Sequence, residues 1–405
     1  MLLSLMLVFE YKLKGTDEQY RLLDEVLRTA RFVRNSCLRY WMDNPGKNKY
    51  DLNNYCTVLA RRYPWAKKLN SMARQASAER AWSAISRFYE NCKAKKPGKK
   101  GFPKFRKEQT HASVEYKTCG WKLSVDRLQI TFTDGFKAGT FKMWGTRDLH
   151  YYQIEQIKRV RIVKRADGYY VQICLDVERG VETHEFQNRM VGIDVGLNYF
   201  YTDSDGNQVE NPRFLRKSEK ALKRLNRGLH RKKKGSLNRA KARNRLGRKH
   251  LKVSRQRKDF CVKAARKLCQ SSDLVAFEDL RVKNMVKNHK LAKSISDASW
   301  SLFKQWIIYY GKLFGIATIA VAPHYTSVNC SNCGEKVEKT LSTRTHKCYS
   351  CGFVLDRDWN AALNILKLAL STVGHTGTNV SGENDLCLSE ETPSSKPTRR
   401  KRKPK

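Results

Sequence analysis

Three carboxylates stand where an unpaired charge is unfavourable. Asp194 lies inside the apolar run Met190-Val191-Gly192-Ile193-Asp194-Val195-Gly196-Leu197, with a glycine two residues to either side. Glu278 ends a second apolar run, Leu274-Val275-Ala276-Phe277-Glu278. Asp358 opens the helical segment Leu355-Asp356-Arg357-Asp358-Trp359-Asn360-Ala361-Ala362-Leu363-Asn364-Ile365-Leu366. An ionised carboxylate among apolar side chains needs compensation, and a hard divalent cation, which prefers carboxylate oxygen, supplies it. The order Asp, Glu, Asp, with the first on a strand and the last on a helix, predicts one site for two Mg²⁺ ions. One ion would activate water and the other stabilise a leaving 3′ oxygen in phosphodiester hydrolysis. Asp194, mid-strand, is the expected bridging ligand, and Glu278 and Asp358 complete the coordination. Asp356 competes for the third place and is read as a helix cap. Asn360, within one turn of Asp358, is placed to steady the site.

A second ligand set is made of sulfur. Cys330-Ser331-Asn332-Cys333 and Cys348-Tyr349-Ser350-Cys351 are two paired-cysteine motifs separated by 14 residues. This spacing predicts one tetrahedral Zn²⁺ site, and four thiolates close it, so its role is structural. It sits just before Asp358 and would brace that acid; His346 is not required as a ligand. The remaining cysteines of the 12 are scattered, the pattern of a reducing compartment rather than a disulfide framework.

Charge names the class of partner. Lysine plus arginine is 81 against 38 acids, a net charge of +43. Such an excess implies a polyanion, nucleic acid first. It clusters: Arg213 to Lys258 holds 21 lysines and arginines and one acid, Glu219, along an apolar seam of Leu215, Leu222, Leu225 and Leu229. Two basic helices joined by a turn at Lys232-Lys233-Lys234-Gly235-Ser236 are predicted, with Arg213, Arg216, Lys232, Lys233 and Lys234 as candidate nucleic-acid contacts. Lys93 to Lys107 is a basic loop with interleaved glycine, proline and aromatics, and Lys104 within it is a candidate phosphate contact. Gln75, on the polar face of a helix, is a candidate reader of base edges or phosphates. The loop Val282 to His289 is polar and basic and lies next to the acids. No stretch is long and apolar enough to span a membrane, and the apolar Met1 to Phe9 is read as a strand.

The elements around these residues predict an α+β multidomain chain. Leu7 to Lys14 alternates as a strand, and Thr16 caps a helix carrying Leu22, Leu23, Val26, Leu27, Ala30 and Val33 at helical spacing. Further helices cover Leu52 to Arg62 and Asn70 to Lys93. Strands follow at Leu128 to Phe132, Val160 to Val163 and Tyr169 to Leu175, with Ala166-Asp167-Gly168 as a hairpin turn and the basic residues from Lys158 to Lys164 lining one surface. The chain starts with a strand, leaves for helices and returns to strands. This predicts a small β-barrel (1–15 and 110–190) interrupted by a helical lobe (16–109). The acid-bearing domain is expected over 191–370, with a basic helical pair (213–260) and a zinc insert (325–355), then a disordered tail (371–405). Ser299 is expected to cap the helix bearing Trp300, Phe303, Trp306, Ile307 and Tyr310, and a strand is expected from Gly315 to Val321.

Several segments together resemble the TnpB family, nucleases of bacterial transposons and relatives of type V CRISPR effectors. They are Lys100-Gly101-Phe102-Pro103-Lys104-Phe105, Gly192 to Gly196, Pro212 to Arg216, Leu291 to Ala298, Tyr325 to Gly334 and Asp356 to Leu366. The resemblance covers the chain to about residue 370. It implies a RuvC-type domain with an RNase H fold, a wedge-like β-barrel and a helical recognition lobe. It further implies a guide RNA (ωRNA or reRNA) from the transposon end, one protein per RNA, and cleavage of double-stranded DNA beside a short transposon-associated motif. By resemblance Asp194, Glu278 and Asp358 are the catalytic acids, and Arg344 corresponds to an arginine on the scissile phosphate. A cytoplasmic, nucleoid-associated protein of a bacterium or archaeon follows. The apolar residues ahead of the first strand depart from the pattern. A DDE-type transposase is the rival enzyme, but its acids usually run Asp, Asp, Glu. A nuclease-inactive RNA-guided repressor is the rival binder, and it requires degraded acids.

Overall fold

The computed structural model describes residues 2–95, 98–107, 112–180, 184–340 and 343–375. β1 (Leu2–Lys14) runs into α1 (Asp17–Asp43), whose start is a capping box: Thr16 Oγ1 accepts from Gln19 N and Gln19 Oε1 accepts from Thr16 N. α2 (Lys49–Arg62), α3 (Pro64–Lys67) and α4 (Ser71–Lys93) follow, α2 and α4 capped by the side chains of Asn48 and Asn70. Val33, Leu38, Trp41, Leu52, Leu59, Ala81 and Ile85 form the core of these helices. The basic loop folds back on them, Asn35 Nδ2 donating to Arg106 O at 2.9 Å and Phe102 packing edge-on against Phe88; Lys96 and Pro97 lie outside the described residues.

The chain then returns to β structure in β2 (Ser113–Tyr116), β3 (Trp121–Leu123), β4 (Gln129–Phe132), β5 (Gly139–Trp144), β6 (Ile157–Arg165) and β7 (Gly168–Gly180). With β1 they form a seven-stranded antiparallel sheet ordered β2-β6-β7-β1-β5-β4-β3. The sheet curls until its ends share one core: Tyr116 of β2 meets Phe132 of β4 at 5.6 Å, and its hydroxyl donates to Asp134 Oδ2 at 2.7 Å. β1 pairs β7 from Leu2 onward, so the extra apolar residues lengthen the strand. The basic residues of β6 are not all free for a polyanion, because Arg159 and Arg161 are paired with the buried Glu115 and Lys164 with Asp24.

The rest of the chain is built on a second sheet. β8 (Met190–Val195), β9 (Tyr199–Asp203) and β10 (Gln208–Glu210) form an antiparallel meander, followed by the helical pair α5 (Phe214–His230) and α6 (Leu237–Gln270). β11 (Leu274–Glu278), α7 (Val282–Met285), α8 (Ala292–Ala298), α9 (Trp300–Phe314), β12 (Ala317–Val321), the ribbon β13 (Thr345–Lys347) with β14 (Val354–Asp356), and α10 (Arg357–His375) complete it. The strand order is β10-β9-β8-β11-β12, with β8, β11 and β12 parallel. Apolar side chains of α6 and α9 cover one face, where Val191, Ile193, Val275 and Phe277 join Ala265, Phe303 and Ile307. α10 covers the other.

Three local expectations differ from what is seen. Val282 to His289 is not all loop, since α7 occupies its first half. Ser299 sits at the start of α9 in a left-handed conformation, but its hydroxyl donates backward to Ser296 O instead of capping forward. Residues 371–375, expected in the tail, end α10, and 376–405 lie outside the described residues.

Candidate active site and metal centre

Strand register and side-chain alternation bring two of the acids together. Phe277 is level with Ile193 and Ala276 with Gly192, so Glu278 falls beside Asp194 at the C-terminal ends of parallel neighbours. Successive side chains alternate between faces. Leu274 and Ala276 pack with Ile365 and Ala369 of α10, so Glu278, two further along, points to the α10 side. Gly192 is on that side as well: a Cβ there would lie 2.3 Å from Ala362 O and 2.7 Å from Leu366 N. Asp194 shares its face. The missing side chain at 192 lets α10 press onto β8, and the first turn of α10 carries Asp358. A Cβ at Gly196 would lie 3.7 Å from Asp358 Oδ2, which puts the third carboxylate over the end of β8.

The electrostatics follow from this convergence. Burial pushes the Asp194 carboxyl well above the usual range, and the neighbouring charges of Glu278 and then Asp358 add to it. Burial also raises Glu278, against the opposing effect of a hydrogen bond from Thr326. Asp358 is raised by burial and by Asp356, with the guanidinium of Arg344 pulling the other way. Three carboxylates that each resist ionisation and face one another form a donor set that fits hard divalent cations.

Other residues hold this set in place. Thr326 Oγ1 donates to Glu278 Oε1. Arg344 Nη1 donates to Asp358 Oδ2 at 3.4 Å, and the Asn198 carboxamide oxygen accepts from Arg344 Nη2 at 3.1 Å and from Nε at 3.3 Å. Asp356 Oδ1 accepts from Asp358 N at 2.9 Å and Trp359 N at 3.1 Å, the geometry of a cap. Asn360 is fully buried; its Oδ1 accepts from Ser331 N at 2.9 Å and its Nδ2 donates to Asn329 O at 2.8 Å. Trp359 Nε1 donates to Ser204 O at 2.9 Å in the β9–β10 turn, where Gly206 makes room for the indole. Thr326, Asn198 and Asn364 were not among the sequence candidates. The only advance signal was that Thr326 and Asn364 lie inside segments already singled out.

The four cysteines converge. Their sulfurs lie within 4.8 Å of one another, with Cys330 to Cys351 at 3.7 Å and Cys333 to Cys348 at 3.6 Å. Zn–S bonds of about 2.3 Å in a tetrahedron give sulfur separations of about 3.8 Å, so the cluster could hold Zn²⁺. His346 is buried and its Nδ1 meets Lys339 Nζ, not the sulfurs.

The basic candidates divide into two groups. Arg344 reaches Asp358, and Arg213, left-handed ahead of α5, donates from Nη2 to Leu197 O at 3.3 Å, just beyond Gly196. Gln75, Lys104, Arg216, Lys232, Lys233 and Lys234 are exposed on other elements and make no bond to the acids among the described residues, and His289 is likewise exposed. Among the described residues no helix is long and apolar enough to cross a membrane.

Comparison with known proteins agrees with this architecture. Residues 172–289 match the family model OrfB_IS605, described as "Probable transposase", and residues 300–365 match the Cas12f1-like TNB domain. A "Putative RNA-guided DNA endonuclease" of Streptomyces pristinaespiralis is 28% identical over 375 residues, spanning 90% of this chain and 89% of its own. The "Putative RNA-guided DNA endonuclease InsQ" of Escherichia coli (strain K12) is 27% identical over 381 residues, 88% and 91% of the two chains. Among solved structures, Cas12f1 in its complex with sgRNA and target DNA superposes with a TM-score of 0.55 at 16% identity, over 87% of this chain and 83% of that one. The mini-RNA-guided endonuclease CRISPR-Cas_phi3 gives 0.54 at 10% identity, over 94% of each. The fold is thus shared with Cas12f1 and CRISPR-Cas_phi3, and the similarity to the curated RNA-guided DNA endonucleases extends over most of the chain.

Proposed function

We propose that this TnpB-like chain is an RNA-guided DNA endonuclease, with Asp194, Glu278 and Asp358 as its catalytic acids and Mg²⁺ as its catalytic metal. The observation that carries the reading is the convergence of these three carboxylates on one face of the β8–β11 pair, each raised by burial, with Arg344 beside Asp358 only partly offsetting the shift there. The names of its relatives, RNA-guided DNA endonucleases, support the same reading. Guide RNA and double-stranded target DNA are the partners that the +43 charge would serve. The motif beside the target would be read by protein and the rest by base pairing. The curled sheet (β1 with β2 to β7) and the helical lobe (α1 to α4) would grip the nucleic acid, and the second sheet with its helices would cut.

In this reading Asp194 and Glu278 hold metal from the sheet and Asp358 from the helix, while Arg344 directs its remaining positive charge to the scissile phosphate. Bound Mg²⁺ would supply activation of water and stabilisation of the departing 3′ oxygen. The four cysteines would hold a structural Zn²⁺.

The test is cleavage of a plasmid bearing a guide-matched target beside a randomised motif, using protein copurified with its transposon-end RNA. Linearisation that needs guide and Mg²⁺ and disappears in Asp194→Ala supports the reading. Tight target binding without cutting would instead indicate a repressor. A chain that retains no RNA and neither binds nor cuts the target would return the transposase.

A further inference from the structure

We propose that Thr326 is a positioning residue for Glu278, and that through it the four-cysteine element sets the geometry of the acid cluster. The proposal rests on the reading of Glu278 as a divalent-cation ligand.

Glu278 is the last residue of β11. Its backbone is fixed by pairing with Val321, but a glutamate side chain has several rotamers available at a strand end. Among the described residues one side chain hydrogen-bonds its carboxylate, the hydroxyl of Thr326. A hydroxyl has a single hydrogen to donate. It engages Oε1 and leaves Oε2 for a cation. Thr326 is itself 5% exposed and β-branched, which stiffens its χ1.

What holds Thr326 is not the sheet. Its carbonyl accepts from Asn364 Nδ2 at 2.8 Å, and the same nitrogen reaches Asn329 O at 2.8 Å. Asn360, one turn earlier on α10, also donates to Asn329 O and accepts from Ser331 N. Asn329 and Ser331 flank Cys330. The preceding Tyr325 is held at φ +62°, and its carbonyl accepts from Val328 N at 3.0 Å and Asn329 N at 2.9 Å, which closes the segment into a tight turn. A left-handed non-glycine residue persists where its surroundings over-determine it. A continuous set of contacts therefore runs from Cys330 through Asn329 and the two asparagines of α10 to Thr326, and from Thr326 to Glu278.

Partners of this kind orient a ligand, and their loss typically weakens metal affinity or activity about 10–100-fold. The test is a Mn²⁺ titration of the full-length protein followed by electron paramagnetic resonance, with zinc content and Tm measured alongside. The Mg²⁺ concentration for half-maximal plasmid cleavage is measured in parallel. Thr326→Val should weaken Mn²⁺ binding by about tenfold or more with zinc content retained, and Thr326→Ser should restore the wild-type value. Unchanged Mn²⁺ affinity in Thr326→Val, with binding lost in Glu278→Gln, overturns the proposal and leaves the reading of the site intact. Normal Mn²⁺ binding and cleavage in Glu278→Gln instead overturns that reading. If Thr326→Val folds poorly, Thr326→Cys decides: it keeps the size and weakens the donor, and wild-type affinity there also overturns the proposal.

Discussion

Gly192 of β8 and Ala362 of α10 meet backbone to backbone, so that a Cβ at 192 would lie 2.3 Å from the Ala362 carbonyl oxygen. This contact lowers the first turn of α10, and Asp358 with it, onto the strand that carries Asp194. Gly192→Ala should therefore act on both stability and cutting. Overpacking against backbone, which cannot swing aside, costs about 1–3 kcal/mol. Urea unfolding should show a lower midpoint, and cleavage should fall further than stability explains because Asp358 is displaced. A wild-type midpoint and rate would show that α10 does not bear on Gly192 as described.

Asp194 links stability to pH with a definite sign. Its folded carboxyl is raised above the ordinary value by burial and by Glu278 and Asp358. The folded state thus keeps its proton longer than the unfolded chain, and stability of the metal-free protein falls as pH climbs through and above the ordinary carboxylate range. Asp194→Asn removes this loss. Without divalent cations the variant should melt above wild type at pH 7, by about 2–4 °C per kcal/mol relieved, and the gap should close as pH falls towards 4. Millimolar Mg²⁺ should raise the wild-type Tm more than that of the variant. Scanning fluorimetry with Mg²⁺ or EDTA checks both, and a variant less stable than wild type at pH 7 without metal refutes the account.

The four-cysteine cluster should carry one zinc per chain, measured by plasma mass spectrometry on dialysed protein. Cys348→Ser removes a buried sulfur and should abolish stoichiometric zinc. Ser331 and Asn329, which bond Asn360, would then lose their anchor. Cleavage should be lost while the helical lobe, whose core is separate, keeps its helical circular dichroism. Full cleavage by zinc-free protein would contradict this.

Arg344 separates chemistry from stability. It is half-exposed, bonded to Asn198 and paired with Asp358. Arg344→Ala should leave the unfolding free energy within about 0.5 kcal/mol, as at most surface sites, yet slow cutting by about 10²-fold through loss of a charge donor at the reacting phosphate. Arg344→Lys should recover only part, because an ammonium cannot bond Asn198 and Asp358 in the same planar fork. A rate loss matched by an equal stability loss would make Arg344 merely structural.

Much of this arrangement is legible in local sequence because local physics decides it. Thr16 with Gln19 makes a capping box wherever the helix goes, Ala166-Asp167-Gly168 turns β6 into β7, and Asp356 caps the helix two residues before Asp358. The same holds for the cysteine pairs, whose spacing alone brings two sulfurs to one point. The misses are of another kind. The neutralisation of Arg159 and Arg161 depends on Glu115, 44 and 46 residues away, whereas α7 has four residues, too few to show a period, and the Ser299 hydroxyl turns back only to Ser296.

From the sequence alone come the acids, the sulfurs, the polyanion-seeking charge and the class of the long helices and principal strands, since residue type and period are local properties. Tertiary structure alone decides that Asp194 and Glu278 stand level, because register between parallel strands 84 residues apart is set by packing on both faces. It alone decides which face is covered: alternation sorts side chains into two sets, and only α10 resting on Gly192 determines which set meets Asp358. Thr326, Asn198 and Asn364 become visible only there, because a hydrogen bond between distant segments leaves no period in either.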